Sequence, residues 1–206
     1  VYLAGTTGSL ENIGTINTHQ PNHAPGYLDD DGFIVKFSSI GQRIWGTYYG
    51  GNDRDQLNSI NISNDGYIYV TGITSSLQNI STLNSYQDTI NGYNSGIIAK
   101  FDLNGQRIWG SYFNGSTFCE INKSIIKDNY LYFYGITSSN NNLNTIGTFN
   151  ETFLDLPMGF GRSSYVAKFD LLSQNIIWGT YFGEVIQDIS INSNNNLFFH
   201  GCTDQT

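Results

Sequence analysis

The residues best equipped for chemistry in this chain are its clustered carboxylates. Asp29-Asp30-Asp31-Gly32 sets three in a row, and Asp53 and Asp55 follow with one residue between them. Carboxylates and carbonyls gathered on a loop are what a hard cation requires, so calcium at Asp29 and Asp31 is one expectation. The spacing does not match an EF-hand loop, and Ser95 and Ser163 replace Asp31 in the repeats described below. Solvated turn residues or backbone caps are the plainer reading of the same five side chains. A third chemistry is acid/base catalysis on a glycan, by a lyase or hydrolase. It would need two carboxylates about 5 to 10 Å apart facing a groove.

The other candidates are thinner. His19 and His23 share a stretch without Cys or a second ligand pair, which falls short of a zinc pattern. His19 aligns with Tyr86 of the next repeat and so reads as a packing residue, while His200 falls within a strand. Cys119 and Cys202 are too few for a disulfide framework and read as small thiols, with a bridge left open. Neither a Gly-x-Ser-x-Gly elbow nor a phosphate-cradling glycine loop is present. Apart from calcium, no cofactor is expected.

These side chains must be positioned by elements that repeat. Gly41-Gln42-Arg43-Ile44-Trp45-Gly46-Thr47-Tyr48-Tyr49 returns as Gly105-Gln106-Arg107-Ile108-Trp109-Gly110-Ser111-Tyr112-Phe113. It returns again, degenerated, as Gln174-Asn175-Ile176-Ile177-Trp178-Gly179-Thr180-Tyr181-Phe182. A second element carries Gly5, Gly72, Gly135 and Gly201, and a third carries Lys36, Lys100 and Lys168 before a phenylalanine. The period of 63 to 69 residues is that of a supersecondary unit.

Each unit reads as four short strands. Asn64-Asp65-Gly66 supplies a tight hairpin turn between the first two, and Asp102-Leu103-Asn104-Gly105 joins the last two. Phe33-Ile34-Val35-Lys36-Phe37 is apolar on both faces, so both faces of its sheet must be covered. No sustained 3.6-residue apolar period with caps is visible, so little helix is expected. The fold expected is all-β, a β-propeller of four-stranded antiparallel blades. Residues 1–49 form a partial blade, 57–113 and 121–182 whole blades, and 185–206 the start of another. About three blades' worth form one segment of a larger ring, taken as seven-bladed. The recurrent tryptophans fill the space between blades, or else serve as sugar-stacking platforms. The lysines either cover apolar surface with their stems or form a ring of cations for an anionic ligand.

Composition narrows the partners. The chain has 206 residues, enough to bury a core, and its 9 Lys+Arg against 17 Asp+Glu leave a net charge of −8. That acidity argues against nucleic acid and against anionic lipid, since both need a cationic footprint. No run approaches the roughly 18 apolar residues of a membrane span. Val1-Tyr2-Leu3-Ala4-Gly5 already reads as mid-strand, and the start shows neither an initiator Met nor a signal-peptide pattern, so the chain is expected to come from something longer.

The succession of Tyr-Leu-Ala-Gly-Thr-Thr, Phe-Ile-Val-Lys-Phe, Gly-Gln-Arg-Ile-Trp-Gly-Thr-Tyr-Tyr-Gly-Gly and Asn-Asp-Gly-Tyr-Ile-Tyr-Val-Thr-Gly resembles the SBBP β-propeller repeat. The resemblance covers nearly the whole chain, and the third repeat departs from it at Ser173-Gln174-Asn175. It implies a large secreted or surface protein of bacteria, a scaffold without an established catalytic motif. It also implies that the Asn-Asp-Gly hairpin joins the inner strands. The connections 9–32, 75–96 and 138–163 then emerge on one face, together with Asp29, Asp30, Asp31, Asp53 and Asp55. That loop face is where a protein or glycan partner is expected. The ends are expected to meet further blades of a parent chain, or further copies in a ring. The function expected is a non-enzymatic extracellular or surface module for adhesion or binding. The glycan-active enzyme and a purely structural spacer stand as alternatives.

Overall fold

A computed structural model describes residues 1–26, 30–154 and 161–202. Asp29, one of the carboxylates singled out above, lies outside the described residues. The described chain is all-β, and no helix occurs in it. Its strands are β1 (Tyr2–Thr7), β2 (Asp31–Phe37), β3 (Arg43–Tyr49), β4 (Asp55–Ile62), β5 (Ile68–Thr74), β6 (Ser95–Phe101) and β7 (Arg107–Phe113). Then follow β8 (Cys119–Lys127), β9 (Tyr130–Thr137), β10 (Ser163–Asp170), β11 (Asn175–Tyr181), β12 (Val185–Ile191) and β13 (Leu197–Cys202).

Within each sheet, strands adjacent in sequence pair antiparallel. The result is a three-stranded sheet β1-β2-β3, two four-stranded sheets β4 to β7 and β8 to β11, and a two-stranded β12-β13. Tight turns join several of these neighbours. In the β4–β5 hairpin Gly66 takes φ +84°, and its N–H donates to Ser63 O at 2.9 Å. In the β6–β7 turn Gly105 at φ +80° does the same for Asp102 O. The degenerate third repeat puts Gln174 at φ +54° where the others have glycine, a left-handed conformation that costs an ordinary residue about 1 kcal/mol.

The sheets pack face to face in chain order, β1 and β2 against β4, β4 to β6 against β8, and β8 and β9 against β12. Aromatic residues fill the gaps. Tyr49 of β3 meets Phe101 of β6 edge-on, and Phe113 of β7 meets Phe133 of β9 in the same way. Trp45 and Trp109 are 7% exposed, and the Trp45 Nε1–H donates to Leu103 O of the next sheet at 2.9 Å. These two indoles are core, which removes them as sugar platforms. Trp178 is half-buried.

The recurrent glycines acquire a reason. β4, β8 and β12 each carry a bulge, and Gly72, Gly135 and Gly201 lie opposite it. A Cβ there would stand 1.8 to 2.0 Å from the carbonyl oxygens of Gln56, Glu120 and Val185, so only glycine fits. The lysines lie across from tyrosines in register, Lys36 opposite Tyr2, Lys100 opposite Tyr69 and Lys168 opposite Tyr132. Lys100 Nζ sits 3.7 Å over the Tyr67 ring and Lys168 Nζ 3.8 Å over Tyr130. Each amine is held against aromatic rings of its own sheet, beside the short turns and away from the long loops.

Candidate functional site

The starts of β4 and β6 and the ends of β5 and β7 lie at one end of their sheet, because Asp55 pairs with Thr74, Thr74 with Ser95 and Gly96 with Phe113. All three long connections leave from this end. Sequence reasoning treats them as irregular, yet their first halves share one structure. Thr15, Thr82 and Thr145 donate their N–H groups to the carbonyls of Gly46, Gly110 and Gly179 at 2.8 to 2.9 Å. Gln20, Gln87 and Asn150 donate theirs to the hydroxyls of Thr47, Ser111 and Thr180. Tyr48, Tyr112 and Tyr181 return the bond to the carbonyls of Gln20, Gln87 and Asn150.

Each loop therefore lies along the outer strand as an irregular extra strand. It approaches so closely that a Cβ on Gly46, Gly110 or Gly179 would meet Ile13 O, Ile80 O or Leu143 O within 2.2 Å. Arg43 reinforces the latch by donating to Asn12 O, and Arg107 does so to Asn79 O and Ile80 O. The third repeat has Ile176 there, so no guanidinium ties its loop. A sequence signal for the latch existed. Thr15-Ile16-Asn17-Thr18-His19-Gln20, Thr82-Leu83-Asn84-Ser85-Tyr86-Gln87 and Thr145-Ile146-Gly147-Thr148-Phe149-Asn150 share one pattern.

His19 fills the aromatic position of that pattern, edge-on to Tyr49 and Phe101. Burial, with the Arg107 guanidinium nearby, brings its imidazole down to about 4, so it is neutral at pH 7. Beyond the latch only short stretches differ between units, and the first carries the acidic residues. They divide sharply. Asp30 is partly exposed and pairs with Arg54 at 3.3 Å, which contributes under about 1 kcal/mol. The Asp53 carboxylate accepts the Arg54 N–H at 2.8 Å, and its own N–H donates to Ser76 Oγ at 2.9 Å.

Asp31 and Asp55 go inside. They open β2 and β4, and both are buried. Asp31 Oδ2 accepts from Ala24 N at 2.8 Å and Gln20 Nε2 at 3.0 Å. Asp55 accepts from Gly51 N at 2.7 Å, Ser76 Oγ at 2.8 Å and Thr74 Oγ1. A Cβ on Gly50 would stand 2.3 Å from Asp31 Oδ1 and 2.7 Å from Asp55 Oδ2, which brings the two carboxylates within about 5 Å of each other. Burial pushes the Asp55 carboxyl up to about 7, its hydrogen bonds oppose the shift, and the Asp31 charge adds to it. Asp31 is raised as well, chiefly by burial. His23 lies beside the pair, its Nδ1 2.8 Å from Ala24 O and 3.9 Å from Asp31 Oδ2, with Nε2 buried and unpartnered. Ser95 and Ser163, with Cys119 and Val185, occupy the same places at the other junctions, so among the described residues the pair belongs to the first junction alone.

This pair has the separation of a catalytic couple, but both carboxylates are buried in protein. Among the described residues no three His, Cys, Asp or Glu side chains converge as metal ligands. Cys119 is buried and donates to Tyr165 Oη at 3.3 Å, while Cys202 is exposed, and both are free thiols. What does open to solvent is a cleft of about 350 Å³ beside the pair, lined by residues 19–25 with Asn79 and Arg107 of the next unit. A smaller one, between Arg54, Phe118, Glu120 and Arg162, lies at the same end one junction on.

Neither a protein-family model nor a curated protein matches the chain. Among solved structures it is similar to the hydrazine synthase of Kuenenia stuttgartiensis, with a TM-score of 0.35 and 9% identity. That superposition covers 94% of this chain and 59% of the other. A likeness this loose carries no functional reading.

Proposed function

We propose that the chain is a segment of a β-propeller acting as a non-catalytic binding module at a bacterial cell surface or outside the cell. Its ligand, a protein or a glycan, is taken on the end that bears the long loops. One observation carries the reading. Residues that escape the repeat, namely 21–26, Asp30, Asp31 and Asp53 to Asp55, gather at one junction of an otherwise repeated scaffold, beside an open cleft. Recognition residues on short variable stretches, with the rest of each loop tied down, lose little entropy on binding. The face-to-face sheets with two-sided apolar strands suit blades, and the repeat's resemblance to SBBP supports the surface location. The buried Asp31–Asp55 pair offers no accessible acid and base, which favours binding over glycan cleavage.

The test is a glycan array and a pull-down from surface extracts with the whole chain, repeated with Asn22→Trp, which fills the cleft from an exposed position. Specific binding that falls at least about tenfold in the variant is the expected result. Turnover of a bound glycan that disappears when a loop-end carboxylate is replaced would overturn the reading.

A further inference from the structure

His23 holds a place that the other repeats give to apolar packing. The loop pattern aligns it, without a gap, with Ile90 and Phe153. The three positions are equivalent in space as well. His23 meets Tyr48 edge-on at 5.4 Å, Phe153 meets Tyr181 in the same way at 5.6 Å, and Ile90 packs on the cluster that holds Tyr112. The fold therefore does not call for an imidazole here, and the one present is poorly satisfied. Its side chain is 4% exposed. Nδ1 lies 2.8 Å from Ala24 O, a pure acceptor, so Nδ1 carries the hydrogen and the neutral ring keeps a lone pair on Nε2. Nε2 is buried without a partner, which is destabilising until a donor reaches it.

His23 lines the cleft of about 350 Å³, whose walls are the loop of the first unit and, across the junction, Asn79 and Arg107 of the next. In a chain of net charge −8, no Asp or Glu is among the described residues that line it. Arg107 supplies its one permanent charge. Both latch bonds of Arg107, to Asn79 O and Ile80 O, use Nη1, and a guanidinium carries five N–H donors in all. Around it stand the amides of Asn22 and Asn79 and the rings of Pro21 and Pro25. Asp31 lies on the Nδ1 side of His23 at 3.9 Å, with the Ala24 N–H and the Gln20 amide on its Oδ2.

We propose that this cleft takes a glycan bearing uronic acid, with the sugar carboxylate on Arg107 and a ring hydroxyl donating to His23 Nε2. The proposal deepens the binding reading above and rests on it. A uronate residue carries both groups on one ring, a carboxylate for the guanidinium and hydroxyls for the unpartnered acceptor. Amide groups and pyrrolidine faces match the polar edges and apolar faces of such a ring. A peptide would find little apolar surface there beyond Pro21, Ala24 and Pro25, too little for the buried anchor on which protein interfaces depend. The overall charge of the chain repels a polyanion, so capture of one reports this site rather than a general attraction.

Isothermal titration of the whole chain with oligogalacturonate and oligomannuronate, each beside its carboxyl-reduced form and in EDTA, tests this. At least one uronate should bind about tenfold or more tightly than its reduced form. Arg107→Ile, which copies Ile176, should abolish that preference. His23→Phe, which copies Phe153, should weaken both forms about fivefold and leave the preference intact. Thermal unfolding checks that the two variants fold, and the acid-against-reduced comparison needs no variant at all. Equal binding of acid and reduced forms overturns the proposal, as does a preference that survives Arg107→Ile or an affinity indifferent to His23→Phe. If neither uronate binds while Asn22→Trp abolishes capture of another glycan or a protein, the uronate assignment falls and the binding reading stands. If the chain captures nothing on the array or from extracts, both fall.

Discussion

Replacing Asp55 by asparagine should stabilise this protein most at alkaline pH and progressively less as the pH falls toward 4. The Asp55 carboxyl is raised from 3.8 to about 7 in the folded state, mainly by burial. Between those values the folded chain keeps a proton that the unfolded chain has released, so stability falls as pH rises through the window, and most of the penalty is present by pH 8. The rise from 3.8 to about 7 corresponds to roughly 4 kcal/mol over the whole window. The asparagine side chain copies the protonated acid. Its carbonyl can accept from Gly51 N and Ser76 Oγ, and its amide can donate to Thr74 Oγ1, the groups that Asp55 now engages. Urea unfolding of both proteins at pH 5 and pH 8 measures the effect, read as the variant-minus-parent difference at each pH. Groups that titrate alike in both cancel from that difference. Moving from pH 5 to pH 8, it should shift by roughly 2 to 3 kcal/mol in favour of Asp55→Asn, because the part of the loss that falls between 3.8 and pH 5 is already present at the lower pH. A difference that does not change with pH, or a variant less stable at both, would refute the account of Asp55 as a buried acid beside Asp31.

Three further outcomes follow from the packing. Gly110→Ala should cost about 3 kcal/mol in urea unfolding, because its Cβ would stand 2.2 Å from Ile80 O and 2.6 Å from Tyr49 Oη; Gly41→Ala, strained only by φ +77°, should cost about 1. Trp45→Phe should lose about 1 to 2 kcal/mol through the bond to Leu103 O, and Trp178→Phe measured alongside should lose less, because its indole lies in an open cleft. His19→Tyr, which copies Tyr86, should remove an acid sensitivity. The unfolded imidazole takes up a proton from about 6.5 downward and the folded one only near 4, so the parent loses stability as pH falls through that window. The variant-minus-parent difference in thermal midpoint should be larger at pH 5 than at pH 8, a comparison in which Asp55 titrates alike in both proteins and cancels.

The candidate site was legible in part. Asp30, Asp31, Asp53 and Asp55 were expected at one end of the sheets, and they meet there because strand order alone decides at which end β2 and β4 begin. Their division into a solvated pair and a buried pair was not legible. Asp31 opens β2 and Asp30 precedes it, but which side of β2 faces β4 is set by the packing of the two sheets. The loop latch was missed for a different reason. Its hydrogen bonds are largely main-chain, and the repeated Thr and Gln residues that mark it are individually ordinary loop residues.

All-β architecture, antiparallel neighbours and a four-strand unit could be read from the chain, because apolar patterning, turn glycines and a period of 63 to 69 residues are properties of the sequence itself, stated within a few residues of where they act. Burial is not local. Asp55 becomes a weak acid only when β2, β4 and the Gly50-Gly51 corner close around it, and the desolvation that shifts it belongs to that enclosure rather than to any neighbour in sequence. The three tryptophans differ for the same reason. They share one motif, yet Trp45 and Trp109 are buried in the core and Trp178 lines an open cleft, a distinction that exists only once the sheets are stacked.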